Sequence, residues 1–322
     1  MEIGSFIELD FRQTGEYYRY HQMTRLNSGR AGILYSLQLL GLKKIYIPYY
    51  QCPSVFLFLE KKEIEIVRYH LDSHLQPQIK ENENDSAILI VNYFGLFDTY
   101  QLKKIAKKFN NVIIDNSQAF YSKPIENHLN IYSPRKFFGV PDGCYVIGND
   151  ADKNENLYQR DISSDTSGFL LKRIESGCSA VYNERQKNEE RIENSDVKRI
   201  SLLTQSLLSN IDYKKIKIKR NKNFEIAHNL FKSFNLLDIE SIIGKNVTPM
   251  VYPLLIEQEN MVDILKDNKI YTGRWWVHVL KNVSETKIES RLSKFMIPIP
   301  IDQRYGEQEI NFIQSIINGN IK

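Results

Sequence analysis

A single lysine stands in an aromatic stretch of the sequence, at residues 130–143. Tyr132 precedes Lys136, and Phe137 and Phe138 follow it. Neighbouring aromatic side chains are expected to exclude water from part of the ammonium group, and desolvation favours the neutral amine. A neutral amine is the nucleophile that Schiff-base chemistry requires. Lys136 is therefore a candidate catalytic residue, although a lysine whose aliphatic stem merely lies on aromatic rings would give the same pattern.

An acid ends the apolar segment that comes before this stretch. Residues 112–114 are Val-Ile-Ile, as in a buried strand, and Asp115 follows them. In a parallel α/β sheet, ligands bind at the edge formed by the carboxyl ends of the strands. An aspartate at that edge can pair with a cationic ring nitrogen, and it could equally well make an ordinary turn or helix cap.

A third segment has the composition of a phosphate-binding helix start. Residues 27–32 are Asn-Ser-Gly-Arg-Ala-Gly, and an apolar run at helical spacing follows them. Small residues at a helix N-terminus leave backbone N–H groups free to bind a phosphate. The alternative is a glycine that only caps the helix.

Taken in chain order, these segments resemble the DegT/DnrJ/EryC1/StrS aminotransferases, a family of sugar-nucleotide enzymes of PLP fold type I. The family's phosphate-binding segment begins Ser-Gly-Thr, and this chain has Ser28-Gly29-Arg30. The family's Glu-Asp-Ala-Ala-Gln/His pattern keeps its acid and its amide here, as Asp115 and Gln118. The resemblance spans most of the chain, with further matches at residues 48–52, 93–95 and 199–201.

The lysine segment resembles the family pattern with two differences. The family has Ser-x-x-x-Lys followed by a Gly-Gly pair. Here Ser133 and Lys136 are one residue closer together, and Gly143-Cys144 replaces Gly-Gly.

The resemblance implies pyridoxal 5′-phosphate (PLP) as the cofactor. Lys136 would form the Schiff base and act as the catalytic base, and Asp115 would keep a proton on the pyridine nitrogen. Gln118 would bind near the ring's O3′ atom. The phosphate would be held by Ser133 and by the turn that begins at Ser28, Gly29 and Arg30.

Three family positions are occupied differently in this chain. Arg30 stands where the family has threonine, and it could pair with the phosphate or point away from it. The aromatic residue that covers the cofactor ring corresponds to Cys52, with Tyr50 two residues away, and either could cover the ring. The family's Asn-x-Arg, which reaches the partner subunit's phosphate, appears as Val197-Lys198-Arg199.

The implied function is a homodimeric PLP-dependent aminotransferase with a shared active site. It would transfer an amino group, with glutamate as the expected donor, to a nucleotide-linked keto-sugar. The substrate-side candidates are Arg199, Arg274 and Trp275, because guanidinium and indole groups suit phosphates and sugar or base faces. Core packing with a surface arginine is the alternative for Arg274 and Trp275. The alternative function is a regulatory or binding protein that keeps the fold without turnover.

Composition places the chain among ordinary globular proteins. It has 322 residues, 42% of them hydrophobic and 25% charged, with a formal net charge of +4. This length predicts one large domain and a smaller one. The resemblance implies that they are a PLP-binding domain at residues 1–212 and a C-terminal α/β domain at residues 213–322. Three widely spaced cysteines and no apolar run of about 20 residues predict a cytoplasmic protein without a metal site or a membrane partner. The basic run at residues 214–220 is interpreted as a solvated helix face and not as a nucleic-acid site.

The elements that must position these residues alternate between strand and helix. Helical spacing predicts a helix over residues 29–40 that ends at Gly41. Apolar segments predict strands at residues 44–50, 64–69, 87–91, 112–115, 129–132 and 144–147. This alternation predicts a mainly parallel sheet between layers of helices. The resemblance to PLP fold type I implies that the sheet is of the seven-stranded type.

Overall fold

A computed structural model of the protein describes residues 7, 9–10 and 14–321. One sheet of seven strands forms its centre. The strands are β1 (Met23–Leu26), β2 (Lys44–Pro48), β3 (Glu65–Tyr69), β4 (Ala87–Val91), β5 (Val112–Asp115), β6 (Leu129–Tyr132) and β7 (Cys144–Ile147).

The sheet is mainly parallel, as the sequence predicts. Its strand order is β1-β7-β6-β5-β4-β2-β3. The five strands from β2 to β6 run parallel to one another, whereas β7 is antiparallel to both β6 and β1. All five residues of β4 are buried, which agrees with a strand covered on both faces. The α/β class and the sheet type are therefore confirmed.

Helices cover this sheet, and their ends follow from local sequence. The first is α1 (Gly29–Leu40), which Ser28 caps at its start and which Gly41 ends at a φ of 69°. Asp98 and Gln101 form a capping box on the helix that begins at Thr99. The other helices of this part are α2 (Pro53–Glu60), α3 (Thr99–Ala106), α4 (Gly168–Ala180), α5 (Tyr182–Glu193) and α6 (Leu202–Ser209).

The remainder of the chain contains its own strands and helices. It contains a separate antiparallel sheet of two strands, β8 (Val251–Leu255) and β9 (Met296–Pro300). Its helices are α7 (Tyr213–Phe231), α8 (Ile239–Ile242), α9 (Met261–Asp267), α10 (Ile288–Phe295) and α11 (Glu307–Asn318). A domain boundary between residues 212 and 213 stays a prediction. In the part of the chain that the structure describes, no helix is both long enough and apolar enough to cross a membrane.

Candidate functional site

Asp115 ends one strand, and Lys136 follows the neighbouring parallel strand, at one edge of the sheet. Asp115 is the last residue of β5 and pairs with Ile131 of β6. The Asn116 N–H donates to the Ile131 carbonyl over 2.8 Å, and a 3₁₀ turn at Pro134–Lys136 begins shortly after β6 ends. Both residues therefore lie at the carboxyl end of the parallel strands, where α/β proteins bind ligands.

The Asp115 carboxylate is buried, and its partners among the described residues are neutral. Its side chain is 6% exposed. It accepts the Ser117 N–H over 2.8 Å and the Gln51 amide over 3.4 Å. Within the described residues, no lysine, arginine or histidine forms an ion pair with it. A buried carboxylate without a cation is costly, so this position fits a ligand that brings a cationic N–H group.

The N-terminus of α1 lies against the turn that follows Asp115. A Cβ atom built on Gly29 would be 3.3 Å from Ser117 Oγ, a close contact that glycine avoids. The Ser28 hydroxyl accepts the Ala31 N–H over 3.3 Å and so caps the helix. The first N–H groups of a helix have no partner within it, and α1 is twelve residues long. The expected anion site and the buried acid are therefore adjacent.

Arg30 is used elsewhere in the structure. Its guanidinium donates to the Ile192 carbonyl of α5, and its Cζ lies 5.1 Å from the centre of the Phe58 ring. Burial lowers the pKa of this guanidinium. Arg30 therefore points away from the expected phosphate position, which is the second of its two alternatives. An anion at this helix start would be bound by backbone N–H groups.

Lys136 is exposed to solvent, and the prediction that aromatic neighbours desolvate it is wrong. Tyr132, Phe137 and Phe138 are buried together with Phe120 in one apolar cluster. In a 3₁₀ turn, successive side chains point in directions about 120° apart, so buried neighbours in sequence do not bury the lysine between them. The amine therefore faces solvent, where a ligand can reach it.

Helix α5 holds the loop that follows Lys136. Asn188, which is fully buried, donates its side-chain amide to the Pro141 carbonyl over 2.8 Å. Arg135 donates to the same carbonyl over 3.1 Å and pairs with Glu189 over 2.7 Å. No local sequence pattern marks Asn188 or Glu189 as partners of this loop.

The C-terminal unit holds the residue directly after Lys136. The Phe137 carbonyl accepts the Gln303 amide over 2.9 Å and the Arg220 guanidinium over 3.4 Å. Arg220 is 2% exposed. The interpretation of residues 214–220 as a solvated face is therefore wrong at Arg220, because the helix turns this last residue of the run inward.

Gly143 has a backbone conformation that allows the chain to pass close to the turn containing Lys136. Its φ is 122°, and a Cβ atom there would be 3.0 Å from Pro134 Cγ. Its N–H donates to the Asn27 carbonyl over 2.8 Å, which connects it to the residue before Ser28. Any other residue would be strained at this φ and would clash with the lysine turn. Of the Gly-Gly pair in the resembling family, this chain therefore keeps the first glycine, at a position where a side chain would be strained.

No protein-family model matches the chain, and no curated protein matches it. Solved structures do match it over almost its full length. The sugar aminotransferase CalS13 from Micromonospora echinospora superimposes with a TM-score of 0.65 at 14% identity, covering 93% of this chain and 88% of that chain. A DegT DnrJ EryC1 StrS aminotransferase from Brucella abortus gives 0.60 at 13% identity, covering 92% and 85%. The PLP form of Spr1654 from Streptococcus pneumoniae gives 0.63 at 11% identity, covering 93% and 88%.

The chain has the fold of these aminotransferases.

Three further candidates lie near the same edge of this aminotransferase fold. The Gln118 side-chain oxygen accepts the Phe94 N–H over 2.8 Å. Ser133 is buried directly before the lysine turn. Tyr50 is completely buried, with its ring 4.4 Å from that of Trp276, whereas Cys52 is half-buried at the start of α2. Of the two candidates for covering a cofactor ring, Cys52 is the more open.

The substrate-side candidates come from two separate segments of the fold. Trp275 stacks on the buried Phe94 ring at 5.6 Å, and Arg274 beside it is half-buried. Arg199 follows Lys198, whose carbonyl accepts the Asn27 N–H over 2.9 Å. Both segments thus contact residues that flank the site. Trp275 packs against the core with one face of its indole, as the core-packing alternative expects.

Proposed function

We propose that the chain is a PLP-dependent aminotransferase that transfers an amino group, with glutamate as donor, to a nucleotide-linked keto-sugar. One observation carries this proposal. Asp115 is a buried carboxylate that pairs with no cation among the described residues, and Lys136 is a solvent-facing amine. The two lie at or just beyond the carboxyl ends of adjacent parallel strands, beside the N-terminus of α1. The fold of the sugar aminotransferases supports it.

The residues present fit this cofactor. The first N–H groups of α1, with the Ser28 and Ser133 hydroxyls, would hold the phosphate. Asp115 would accept the ring N–H, Lys136 would bind the aldehyde carbon, and Gln118 would use its free amide hydrogens near O3′. When bound, PLP supplies an electron sink that stabilises negative charge at the donor's Cα.

The two catalytic side chains would divide the work. The Asp115 carboxylate would keep the ring nitrogen protonated through a charge-assisted hydrogen bond, in a buried position where that bond is strong. The Lys136 Nζ atom would take the α-proton from the donor. In the second half of the reaction it would protonate the carbon of the acceptor that receives the amino group. Its position on an exposed turn gives both substrates access.

The substrate would lie on the side of Trp275. One face of this indole covers Phe94, and its partial exposure leaves the other face for a sugar or a base. Arg274 and Arg199 would pair with phosphate oxygens, for which guanidinium groups are well suited. Arg199 has a buried Nε atom that makes no hydrogen bond within the described residues.

A homodimer with a shared active site is part of the proposal. Two residues of α4, Leu171 and Ile174, are 61% and 83% exposed and lie three positions apart, on one helix face. Leu157 and Ile162, from the segment before α4, are 77% and 71% exposed. Several large apolar side chains exposed in one part of the chain suit a second copy of the chain.

A reducing compartment suits this enzyme. Cys52, Cys144 and Cys178 are free thiols. We therefore place the proposed activity in the cytoplasm.

The decisive experiment is borohydride reduction of the purified protein after incubation with PLP. Peptide mass spectrometry should find a pyridoxyl group on Lys136. Lys136→Ala should lose both this adduct and transamination, and it should stay folded because the side chain is exposed. Lys214→Ala, an exposed lysine on α7, is the matched control and should keep both. Absence of the adduct, or full activity of Lys136→Ala, would refute the proposal.

The second candidate function is a PLP-fold binding protein without turnover. Val197 at the place of the family's asparagine is the observation that favours it, because that asparagine would contact the partner's phosphate. This alternative predicts a pyridoxyl group on Lys136 after borohydride reduction. It also predicts no amino transfer from glutamate to any member of a panel of keto-sugar nucleotides.

A further inference from the structure

Arg220 is a buried cation held by neutral oxygens. It is among the largest fully buried side chains of the protein. It donates to the Met250 carbonyl over 3.1 Å, to the Gln303 side-chain oxygen over 3.2 Å and to the Phe137 carbonyl over 3.4 Å. Its Cζ atom lies 4.5 Å from the centre of the Phe137 ring. Three hydrogen bonds and a cation–π contact therefore converge on this guanidinium.

These contacts join the C-terminal unit to the lysine turn. Arg220 lies on α7, and Gln303 lies in the loop after β9. Both donate to the carbonyl of Phe137, the residue directly after Lys136. The same carbonyl group thus receives two donors from residues 83 and 166 positions away in sequence.

A second path leads from Arg220 to the turn after Asp115. Met250, whose carbonyl Arg220 binds, donates its own N–H to the Phe94 carbonyl over 2.8 Å. The Phe94 N–H in turn donates to Gln118. Phe94 has a φ of 58°, a conformation that a bulky residue adopts only when its surroundings impose it. Arg220 therefore contacts the Lys136 turn directly, and it is connected to Gln118 through Met250 and Phe94 by two further hydrogen bonds.

Burying the positive charge of Arg220 is energetically unfavourable. Burial lowers the pKa of Arg220 to about 10. The nearby carboxylate of Asp302 is already paired with Arg304 over 2.7 Å. An arginine can reach two backbone carbonyls at once because its guanidinium is planar and forked, which a lysine cannot do in the same way.

We propose that Arg220 is a positioning residue that fixes the Lys136 turn, and through Met250 and Phe94 the Gln118 turn, against the C-terminal unit. The expected effect of Arg220 on catalysis rests on the proposed function. Its expected effect on the opening of the turn does not. Without Arg220, the backbone turn at residues 134–138 opens more often, and the lysine amine loses its fixed direction relative to the buried acid.

Hydrogen exchange on the full-length protein without any ligand tests the mechanical part. The N–H groups of Phe137 and Phe138 both bond to the Pro134 carbonyl. In Arg220→Gln, exchange in peptides covering residues 133–142 should accelerate about tenfold or more, while peptides of β4 and β5 stay protected. Asn235→Ala is the control: it removes hydrogen bonds of a polar residue within the C-terminal unit that does not contact the lysine turn.

The proposal is overturned if residues 133–142 exchange at the wild-type rate in Arg220→Gln, or if Asn235→Ala accelerates them equally. Should Arg220→Gln not fold, Arg220→Lys and Gln303→Ala take its place, and each should accelerate the same peptides. In the PLP-loaded enzyme, Arg220→Lys should lower kcat about tenfold to a hundredfold with a small change in KM. If wild-type protein forms no adduct on Lys136, the proposed function fails while the exchange result still decides the role of Arg220.

Discussion

The sulfur atom of Cys144 occupies the space where a side chain at position 32 would lie. A Cβ atom built on Gly32 would be 2.8 Å from Cys144 Sγ, and 3.2 Å from a methyl group of Val146. Cys144 begins β7 and stands where the resembling family has its second glycine, whereas Gly32 lies on the inner face of α1. The two residues complement each other in size across the contact between this helix and the sheet.

Gly32→Ala should therefore destabilise the protein, even though alanine is the better helix former. The added methyl group meets a short, buried side chain that cannot move away. We expect a loss of about 1–3 kcal/mol in the free energy of unfolding, the usual cost of overpacking a well-filled core. Urea unfolding followed by circular dichroism measures it.

The double variant with Cys144→Ala separates this contact from a general helix effect. Removing the sulfur frees the space above position 32, so Gly32→Ala should cost less in the Cys144→Ala background than in the wild type. Additive losses would show that the two residues do not interact as described.

Asp115→Asn should weaken cofactor binding much more than it destabilises the empty protein, which loses only one weak hydrogen bond to Gln51. The amide has the shape of the carboxylate but no charge, and in the described structure the carboxylate has no cationic partner to lose. A hydrogen bond to a charged group contributes about 1.5–3 kcal/mol, so the dissociation constant of PLP should rise about tenfold to 150-fold. Titration of PLP absorbance measures the affinity, and thermal unfolding without PLP provides the control. A large loss of stability in the empty variant would contradict the assignment.

Asp142 should make stability depend on pH. Burial raises the pKa of its carboxyl group, an effect that hydrogen bonds from Thr204 and Ser201 partly oppose. Between the ordinary pKa and this raised value, the folded protein binds more protons than the unfolded chain. The contribution of Asp142 to the free energy of unfolding therefore falls as pH rises through this window.

Asp142→Asn removes this contribution. The stability of the variant minus that of the wild type should become more positive as pH rises from about 4, where an ordinary aspartate titrates. Urea unfolding of both proteins at several pH values gives the difference. A difference that stays constant with pH would mean that burial does not raise this pKa.

Charges on α4 should weaken self-association. If a second copy covers this helix, Leu171→Glu and Ile174→Glu each remove about 1.5–3 kcal/mol of apolar burial, which raises the dimer dissociation constant about tenfold to 150-fold. Sedimentation equilibrium measures the constant. Ile218→Glu on α7 is the matched control, because Ile218 and Leu171 are both 61% exposed. Equal effects at positions 171 and 218 would rule out α4 as the interface.

Local patterns in the sequence predict most of the fold, because caps, turns and apolar runs are determined by neighbouring residues. Helix α1 begins at a serine cap and ends at Gly41, whose φ of 69° glycine adopts without strain. The run of five apolar residues at 87–91 becomes β4, with the predicted bounds. The mainly parallel sheet follows from the alternation of such segments.

The candidate site is predicted less completely, because its geometry comes from distant residues. The aromatic neighbours of Lys136 suggest burial, but their direction is set by the 3₁₀ turn and by packing on Phe120. Arg220 belongs to a basic run that predicts a solvated face, and its partner Phe137 is 83 positions away. No periodicity within α7 distinguishes this arginine from the lysines before it.

The place of β1 at the edge of the sheet has a consequence for synthesis on the ribosome. Leu26 of β1 is paired with Cys144 of β7, which is the one strand beside β1 among the described residues. On its other side Leu26 forms only an isolated bridge to Arg199, which lies still later in the chain. At about 5–20 residues per second, translation needs roughly 6–24 s to make the 118 residues (144 − 26) that separate Leu26 from Cys144. The five parallel strands can thus assemble first, while the nascent chain carries an unpaired strand that chaperones can bind until β7 emerges.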